Sequence, residues 1–574
     1  MRVAPRRASL ARLAGVLAGL LVIGCGSNSN SRTDAGLTTR SRTVRPVAVP
    51  AGAAHIAPRE VALYAANGYS AWQYGPGEDQ GRRLDLMPAG YAGSPDAGRL
   101  TSFFTLSDVH ITDKESPAQL AYFGWAAPYG SGAAGISLYT PSMLATTQVL
   151  DAAVRTINAV HAQTPLNFGV VLGDMTNSGQ YNELRWFVDV LDGKFITPSS
   201  GAHAGADTID YQRPFQAAGL NPAIPWYAVA GNHDQFWMGG GMPNDRVQAA
   251  LVGSQVLSVG TSLADPDLLD KTGVYVGAVD GTTPYGDVVK GGLEANYAVP
   301  PTVAADADRR MLTTAGSTLT NLSAEMANST SVPAGHGLAS ASRPGCYSFE
   351  PVSGLPLKII VFDDTNKRLT GSLGPQVFAS GDVDAERYAW LADQLQAGQA
   401  ADQLMIVASH IPIGPQASRT NTAIAPQFDA GSQRSDADLI ALLHNYPNLL
   451  MVIAGHRHQN TVTPQPSPDA EHPELGFWEV ETPSLRDFPQ QFRTFEIRRN
   501  ADNTISMVIT DVDPMVEEGS PAAKSRGYAL GACRVFGVFA GDDTSSRTVN
   551  AELVKQLTPA MQARIAAYAG SRRP

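Results

Sequence analysis

Cysteine, basic charge and long apolar runs are what this 574-residue chain has least of. Its 3 cysteines leave room for at most one disulfide. The 42 Lys and Arg are outnumbered by 53 Asp and Glu, and a net charge of −11 argues against a broad nucleic-acid-binding surface. Beyond the N-terminal segment no apolar run reaches the length needed to span a bilayer. No internal repeat is present, which sets aside solenoids and propellers. What is there is globular: 43% hydrophobic and 17% charged residues can bury a large core. The 55 Gly and 39 Pro suit a loop-rich protein rather than a disordered one. The length allows more than one ordinary domain, or one large α/β enzyme with insertions.

The first 24 residues read as a targeting segment. Arg2, Arg6, Arg7 and Arg12 form a basic n-region, and Leu10 to Ile23 supply an apolar stretch. It closes on Val22-Ile23-Gly24-Cys25, which resembles the lipobox of bacterial lipoproteins, cleaved before a cysteine that then carries the lipid. Residues 1–24 are thus expected to be a lipoprotein signal peptide, with Cys25 the lipidation site and the membrane a partner through that anchor. Arg6-Arg7 with Leu10 hints at twin-arginine export, although Pro5 and Ala11 depart from that pattern. Four arginines and no acid leave with the segment, so the charge goes from −11 to −15. Residues 25–55, starting Cys25-Gly-Ser-Asn-Ser-Asn-Ser, read as a flexible tether. In an oxidising compartment Cys346 and Cys533 are a candidate disulfide, with two separate core thiols as the alternative.

The rest is organised around Met451-Val-Ile-Ala-Gly-His-Arg-His458. Leu449 to Ile453 is continuously apolar, as in a parallel strand covered on both faces. Gly455 is expected to let the backbone turn, and His456 and His458 stand at the carboxyl end, where open α/β sheets place ligands. Four other apolar strands end in the same manner. Leu100–Leu106 delivers Asp108 and His110, and Asn167–Leu172 delivers Asp174. Ile224–Ala230 delivers Asn232, His233 and Asp234, and Leu404–Ser409 delivers His410. Leu357–Phe362 is a further strand. Helical spacing at Leu150, Val154 and Ile157, at Leu184, Phe187, Val188 and Leu191, at Leu391 and Leu395, and at Leu439, Leu442 and Leu443 places helices between them. His161 ends the first of these and reads as a helix-end residue. Phe477–Glu481, Thr494–Ile497 and Thr504–Ile509 read as antiparallel strands, and Ala551–Tyr568 as a last helix outside the sheet. Residues 235–345 read as an insertion on the face of the strand ends, a candidate cap over a pocket. The expected fold class is α/β, layered sheets flanked by helices, over residues 56–514 with a helical extension over 515–574.

Each strand-end residue alone is an ordinary polar group at a sheet edge. Together, five of the 11 histidines with two Asp and an Asn at matching places are hard to assign to packing. Two Asp, one Asn and four His give seven ligands, enough for two adjacent metal sites if one carboxylate bridges. Mixed imidazole and carboxylate ligation suits Zn, Mn, Fe or Co and disfavours Ca or Mg. Two such ions about 3.5–4 Å apart can acidify a shared water and hold both oxygens of an in-line displacement at phosphorus.

Asp-x-His, Gly-Asp, Gly-Asn-His-Asp, a lone His after a strand, and Gly-His-x-His, in that order, resemble the calcineurin-like metallophosphoesterases from about Leu100 to Asp513. The resemblance implies one metal held by Asp108, His110 and His458 and the other by Asn232, His410 and His456, bridged by Asp174. It implies that His233 contacts the phosphate and protonates the leaving oxygen, that Asp234 orients His233, and that a metal-bridging hydroxide attacks phosphorus. Asn177 stands where the purple acid phosphatases have a tyrosine ligand and a phosphodiesterase branch has Asp, which leaves monoester or diester open. The spacing from His110 to Asp174 and the 235–345 insertion also depart from compact members. Phe477-Trp-Glu-Val-Glu-Thr482 with Asp487-Phe-Pro-Gln490 resembles a branch of secreted bacterial members. Arg457 is a candidate phosphate contact, and Asp113 and Lys114 are candidate pocket residues.

The expectation is a lipid-anchored phosphoric ester hydrolase with two metal ions (Mn, Fe or Zn), acting on a phosphoester outside the cytoplasmic membrane. The alternative is a non-catalytic metal-containing envelope lipoprotein that binds phosphorylated ligands. A 5′-nucleotidase-like enzyme is disfavoured, because the chain after Pro514 is too short for the nucleotide-binding domain of that group.

Overall fold

Strands that are apolar at every position need cover on both faces, and a computed structural model of the chain places that cover. It describes residues 36–571 apart from 242–243, 261–272, 314–318, 368–379, 417–427, 429–431 and 540–543. The signal segment and Cys25 lie outside the described residues.

Two sheets carry the fold. In chain order their strands begin with β1 (Gly81–Arg83), β2 (Asp96–Leu106), β3 (Phe168–Val171), β4 (Trp226–Ala228), β5 (Tyr347–Phe349) and β6 (Leu357–Val361). They continue with β7 (Leu404–Ala408), β8 (Leu449–Ala454), β9 (Val462–Gln465) and β10 (Phe477–Glu481). The last are β11 (Phe492–Asn500), β12 (Ile505–Val512) and β13 (Ala551–Lys555). One sheet runs β1-β13-β12-β11-β2-β3-β4 and the other β5-β6-β7-β8-β10-β9. Each has a parallel block, β2-β3-β4 at one end of the first and β6-β7-β8-β10 at the centre of the second, with antiparallel strands beside it.

Alternation along the strands explains the layers. Ile359, Val361, Ile406, Ala408, Met451 and Ile453 share one core cluster with Phe103, Phe168 and Trp226 of the first sheet. Their neighbours Ile360, Met405, Val407 and Val452 face the other way, with Leu391 and Leu395 of helix α3 (Ala385–Ala400) and Leu439 and Leu443 of α4 (Asp436–Leu443). On the first sheet, α1 (Thr146–Gln163) and α2 (Tyr181–Leu191) bury Leu150, Val154, Leu184 and Phe187. Phe495, Phe103 and Phe168 sit in register on β11, β2 and β3 with ring centroids 4.6 and 4.7 Å apart. The result is the expected α/β class, helices outside two stacked sheets.

Four features differ from the sequence reading. Ala551–Lys555 is a strand paired with β12, not the start of a helix; the helix begins at Pro559, where the missing N–H costs nothing. The extension also holds α5 (Pro521–Val535), so it is built into the sheet and core rather than appended. Within the expected tether, Arg42–Pro46 pairs with Trp72–Pro76, and Thr39 Oγ1 donates to the Asp511 carbonyl at 2.6 Å. Cys346 and Cys533 are free, buried thiols in different core clusters, so they do not form the candidate disulfide.

Candidate metal centre

The backbone bends hard as it leaves the strands. Asp108, His110, Asp174, His456 and His458 have φ of 50°, 48°, 52°, 70° and 54°. These are five of the twelve described non-glycine residues with positive φ, a conformation that costs about 1–3 kcal/mol each and gathers where a site demands it. Ser484 Oγ bonds the Asp108 carbonyl at 2.8 Å, and His110 N bonds the Asp174 carbonyl at 2.9 Å, so the bends are pinned. Gly455 serves close approach rather than an unusual turn. A Cβ there would collide with Ser107 Oγ and Asp108 Oδ2, and its absence lets His456 N donate to Asp108 Oδ2 at 3.0 Å.

The seven residues expected as ligands come together from both sheets. Asp108 Oδ1 lies 3.3 Å from His458 Nε2, which lies 3.1 Å from His110 Nε2. Asn232 Oδ1 lies 3.0 Å from His410 Nε2 and 3.2 Å from His456 Nδ1. Asp174 Oδ2 is shared, 3.6 Å from His110 Nε2 and 3.3 Å from His410 Nε2. The outer atoms fix which nitrogen points inward. His410 Nδ1 bonds the Leu172 carbonyl at 2.7 Å, His458 Nδ1 bonds Asp487, and Asn232 Nδ2 donates to Gly239 O at 2.8 Å. Two imidazole nitrogens facing each other at 3.1 Å can share only one hydrogen, whereas both can donate to one cation. The donor set therefore fits two metal ions: Asp108, His110 and His458 form one candidate group, Asp108, Asp174 and His410 another, and His110, Asp174 and His233 a third, with Asn232 Oδ1 between His410 and His456.

Electrostatics agree. Burial works to raise the Asp174 carboxyl, but His410 and His233 outweigh it and hold it well below the usual carboxylate range. Burial likewise opposes charge on His410 and His458, yet Asp174 and Asp108 push both up to about 10. His456 is driven down to about 3, first by burial and then by His410. Burial, aided by His233, also holds His110 low.

His233 stands at the edge of the cluster and lines a cavity of about 1020 Å³. Its backbone N–H donates to Asp174 Oδ1 at 2.8 Å, and its ring meets His110 edge-on at 4.5 Å. Nδ1 is engaged by the Asn177 carbonyl at 2.6 Å. Asp234 does not orient that ring. It accepts from Gly231 N and Thr176 N, each at 2.9 Å, and ties two strand-end loops together. Arg457 lines the cavity, but its guanidinium is held by Glu481. Asp113 and Lys114 are not pocket residues: Asp113 is buried on Arg309, Asn182 and Ser200, and Lys114 Nζ bonds the Pro198 carbonyl at 2.5 Å. Among the described residues of the 235–345 insertion, only Met238 lines the cavity, whose wall away from the centre comes from residues 132–138, Cys533, residues 537–539 and residues 547–549.

Sequence reading missed Asp487, which holds His458, and Arg486, which lines the cavity and spans to the Ile136 and Ser137 carbonyls at 3.0 and 3.1 Å. Both follow β10, a parallel strand whose carboxyl end opens on the same rim as the others. That placement was the available signal.

No family model matches the chain, and no curated protein does. Among solved structures, a dimetal phosphatase from Danio rerio is 13% identical over 73% of this chain and 98% of its own, at a TM-score of 0.34. GAP50, the anchor in the inner membrane complex of Plasmodium, is 10% identical over 77% of this chain and 96% of its own, at a TM-score of 0.27. Similarity this low leaves the chemistry of the centre to its own residues.

Proposed function

We propose that the chain is a phosphoric ester hydrolase dependent on two metal ions. The observation that carries this reading is the Asp174 carboxylate shared between two donor groups, with His233 beside it on an open cavity. Bound there, Mn, Fe or Zn ions would supply Lewis acidity toward a phosphoryl oxygen and lower the pKa of water. Asp108, His110 and His458 would hold one and Asn232, His410 and His456 the other. His233 keeps Nδ1–H on the Asn177 carbonyl, so Nε2 is the nitrogen that takes up a proton from water and passes it to the departing ester oxygen. A role limited to binding phosphorylated ligands gives that proton donor nothing to do.

The metal-reconstituted protein is expected to hydrolyse p-nitrophenyl phosphate or its bis ester. His233→Ala should lower kcat by ~10²–10⁴-fold with metal content intact, while Asp174→Ala should lose both metal and activity. A metal-loaded wild type that turns over neither ester refutes the reading. We also propose that the enzyme acts outside the cytoplasmic membrane, anchored by lipid on Cys25. The support is the basic n-region, the apolar stretch and the lipobox-like Val22-Ile23-Gly24-Cys25. Cys25→Ala should then release the protein from the membrane fraction.

A further inference from the structure

The cavity opening from the metal centre is far larger than a phosphoryl group needs. At about 1020 Å³ it reaches the top of the roughly 300–1,000 Å³ range of small-molecule sites. Away from the histidines, its wall comes from the helix Ala133–Leu138, the Phe488-Pro489 turn and the chain after α5. Ile136, Leu138, Val538, Phe539 and Val549 are only half-buried, so part of their apolar surface is left for the cavity. Phe488 and Phe539 meet edge-to-face at 6.3 Å, and the Arg547 guanidinium lies 4.5 Å over the Phe539 ring.

Most of the polar atoms in the same wall are already engaged, with Gln491 Oε1 and Arg486 Nε the buried ones left without a partner among the described residues. Gln491 donates to Asp513 at 2.8 Å and Thr548 at 2.9 Å, and Asn460 is bonded to Asp511 and Arg493. Arg83 is paired with Asp85, Arg457 with Glu481, and Arg486 with two carbonyls of the wall. A polyhydroxylated alcohol would lose the water on all its hydroxyls and find only those two atoms in exchange. An apolar group loses no hydrogen bonds and removes the half-buried side chains from water.

Resting on the phosphoesterase reading above, we propose that the alcohol of the ester is a large apolar group, aryl or long-chain alkyl. It seats among Ile136, Phe488, Val538 and Phe539 while the phosphoryl group meets the metal centre.

The test compares kcat/KM of the metal-reconstituted full chain in two pairs of esters, naphthyl against phenyl phosphate and octyl against glycerol phosphate. Each pair keeps the leaving group chemically alike. A preference of ~10-fold or more for the larger apolar member is expected in at least one pair. Preference in the first pair alone identifies an aryl group, and in the second alone an alkyl chain. Phe539→Ala and, independently, Ile136→Ala should shrink the preferred ratio severalfold. Ratios near unity in both pairs, or a preference for glycerol phosphate, overturn the proposal. If neither these esters nor the p-nitrophenyl mono- and bis esters are turned over, the hydrolase reading fails, and binding still decides the pocket. Naphthylmethylphosphonate should then bind the metal-loaded chain ~10-fold more tightly than methylphosphonate, and equal binding overturns the proposal.

Discussion

His458 owes its direction to Asp487. With Nδ1 committed to that carboxylate, only Nε2 can face Asp108 and His110. An imidazole ligand held this way is pre-set in tautomer and angle, and losing the outer carboxylate commonly costs ~10–100-fold in metal affinity. Asp487→Asn should therefore weaken one metal site by that factor and leave the other nearly unchanged. Competitive chelator titration with metal counting should show one site of the variant weakened against the wild type and the other unmoved. Equal weakening of both sites would mean that Asp487 acts through the fold instead. His410 makes a useful contrast, because its outer partner is the backbone carbonyl of Leu172 and no side-chain change removes it. The same holds for His233 on Asn177, and it explains why Asp234, next to it in sequence, was the natural but mistaken choice of orienter.

At the scale of an element, β10 carries an uncommon load for a central strand. Glu479 and Glu481 sit on it side by side in alternation, both buried. Burial, with Glu481 nearby, pushes the Glu479 carboxyl up to about 8, while the Ile413 N–H and Gln465 engage it. A carboxyl whose folded pKa is raised binds its proton more tightly in the folded state. Its contribution is complete below the unfolded value and is lost as pH rises through the folded one. Stability should thus fall between about pH 4.5 and pH 8, at no more than ~1.4 kcal/mol per pH unit from this group. Glu183, also raised to about 8 by burial, bends the curve in the same direction. Glu479→Gln keeps an acceptor for Ile413 and removes the charge. Its melting temperature should fall less than that of the wild type across this window, and parallel curves would show that Glu479 stays ionised. Other elements were legible for a simple reason. β6, β7 and β8 are short apolar runs ended by polar residues, and burial on both faces leaves no other reading. Arg42–Pro46 and Ala551–Lys555 gave no such signal, because their pairing partners are distant strands and half their side chains are polar.

For the molecule as a whole, the centre joins two sheets that the chain builds separately. Asp108, His110, Asp174 and Asn232 leave the first sheet, and His410, His456 and His458 leave the second. The ordered motif blocks made this convergence legible, since each block ends one parallel strand. The cavity wall was not legible, because it depends on where residues 132–138, 537–539 and 547–549 land and none of these carries a periodic or motif signal. Joining two sheets has a thermodynamic consequence. Metal that binds only when both sheets are in place stabilises the folded state by RT ln(1 + [L]/Kd), ~2.7 kcal/mol at a hundredfold excess over Kd. For a chain of this size that corresponds to a rise in Tm of about 2 °C for each ion bound. Adding Mn²⁺ or Zn²⁺ to the chelator-treated protein should therefore raise Tm. Asp174→Ala should abolish the rise, because it removes the carboxylate common to both donor groups. His233→Ala should keep it, because the role proposed for His233 is to pass a proton and not to hold a cation. A rise that survives Asp174→Ala would place the stabilising metal elsewhere, and the two-sheet centre would then be a polar cluster without the role given to it.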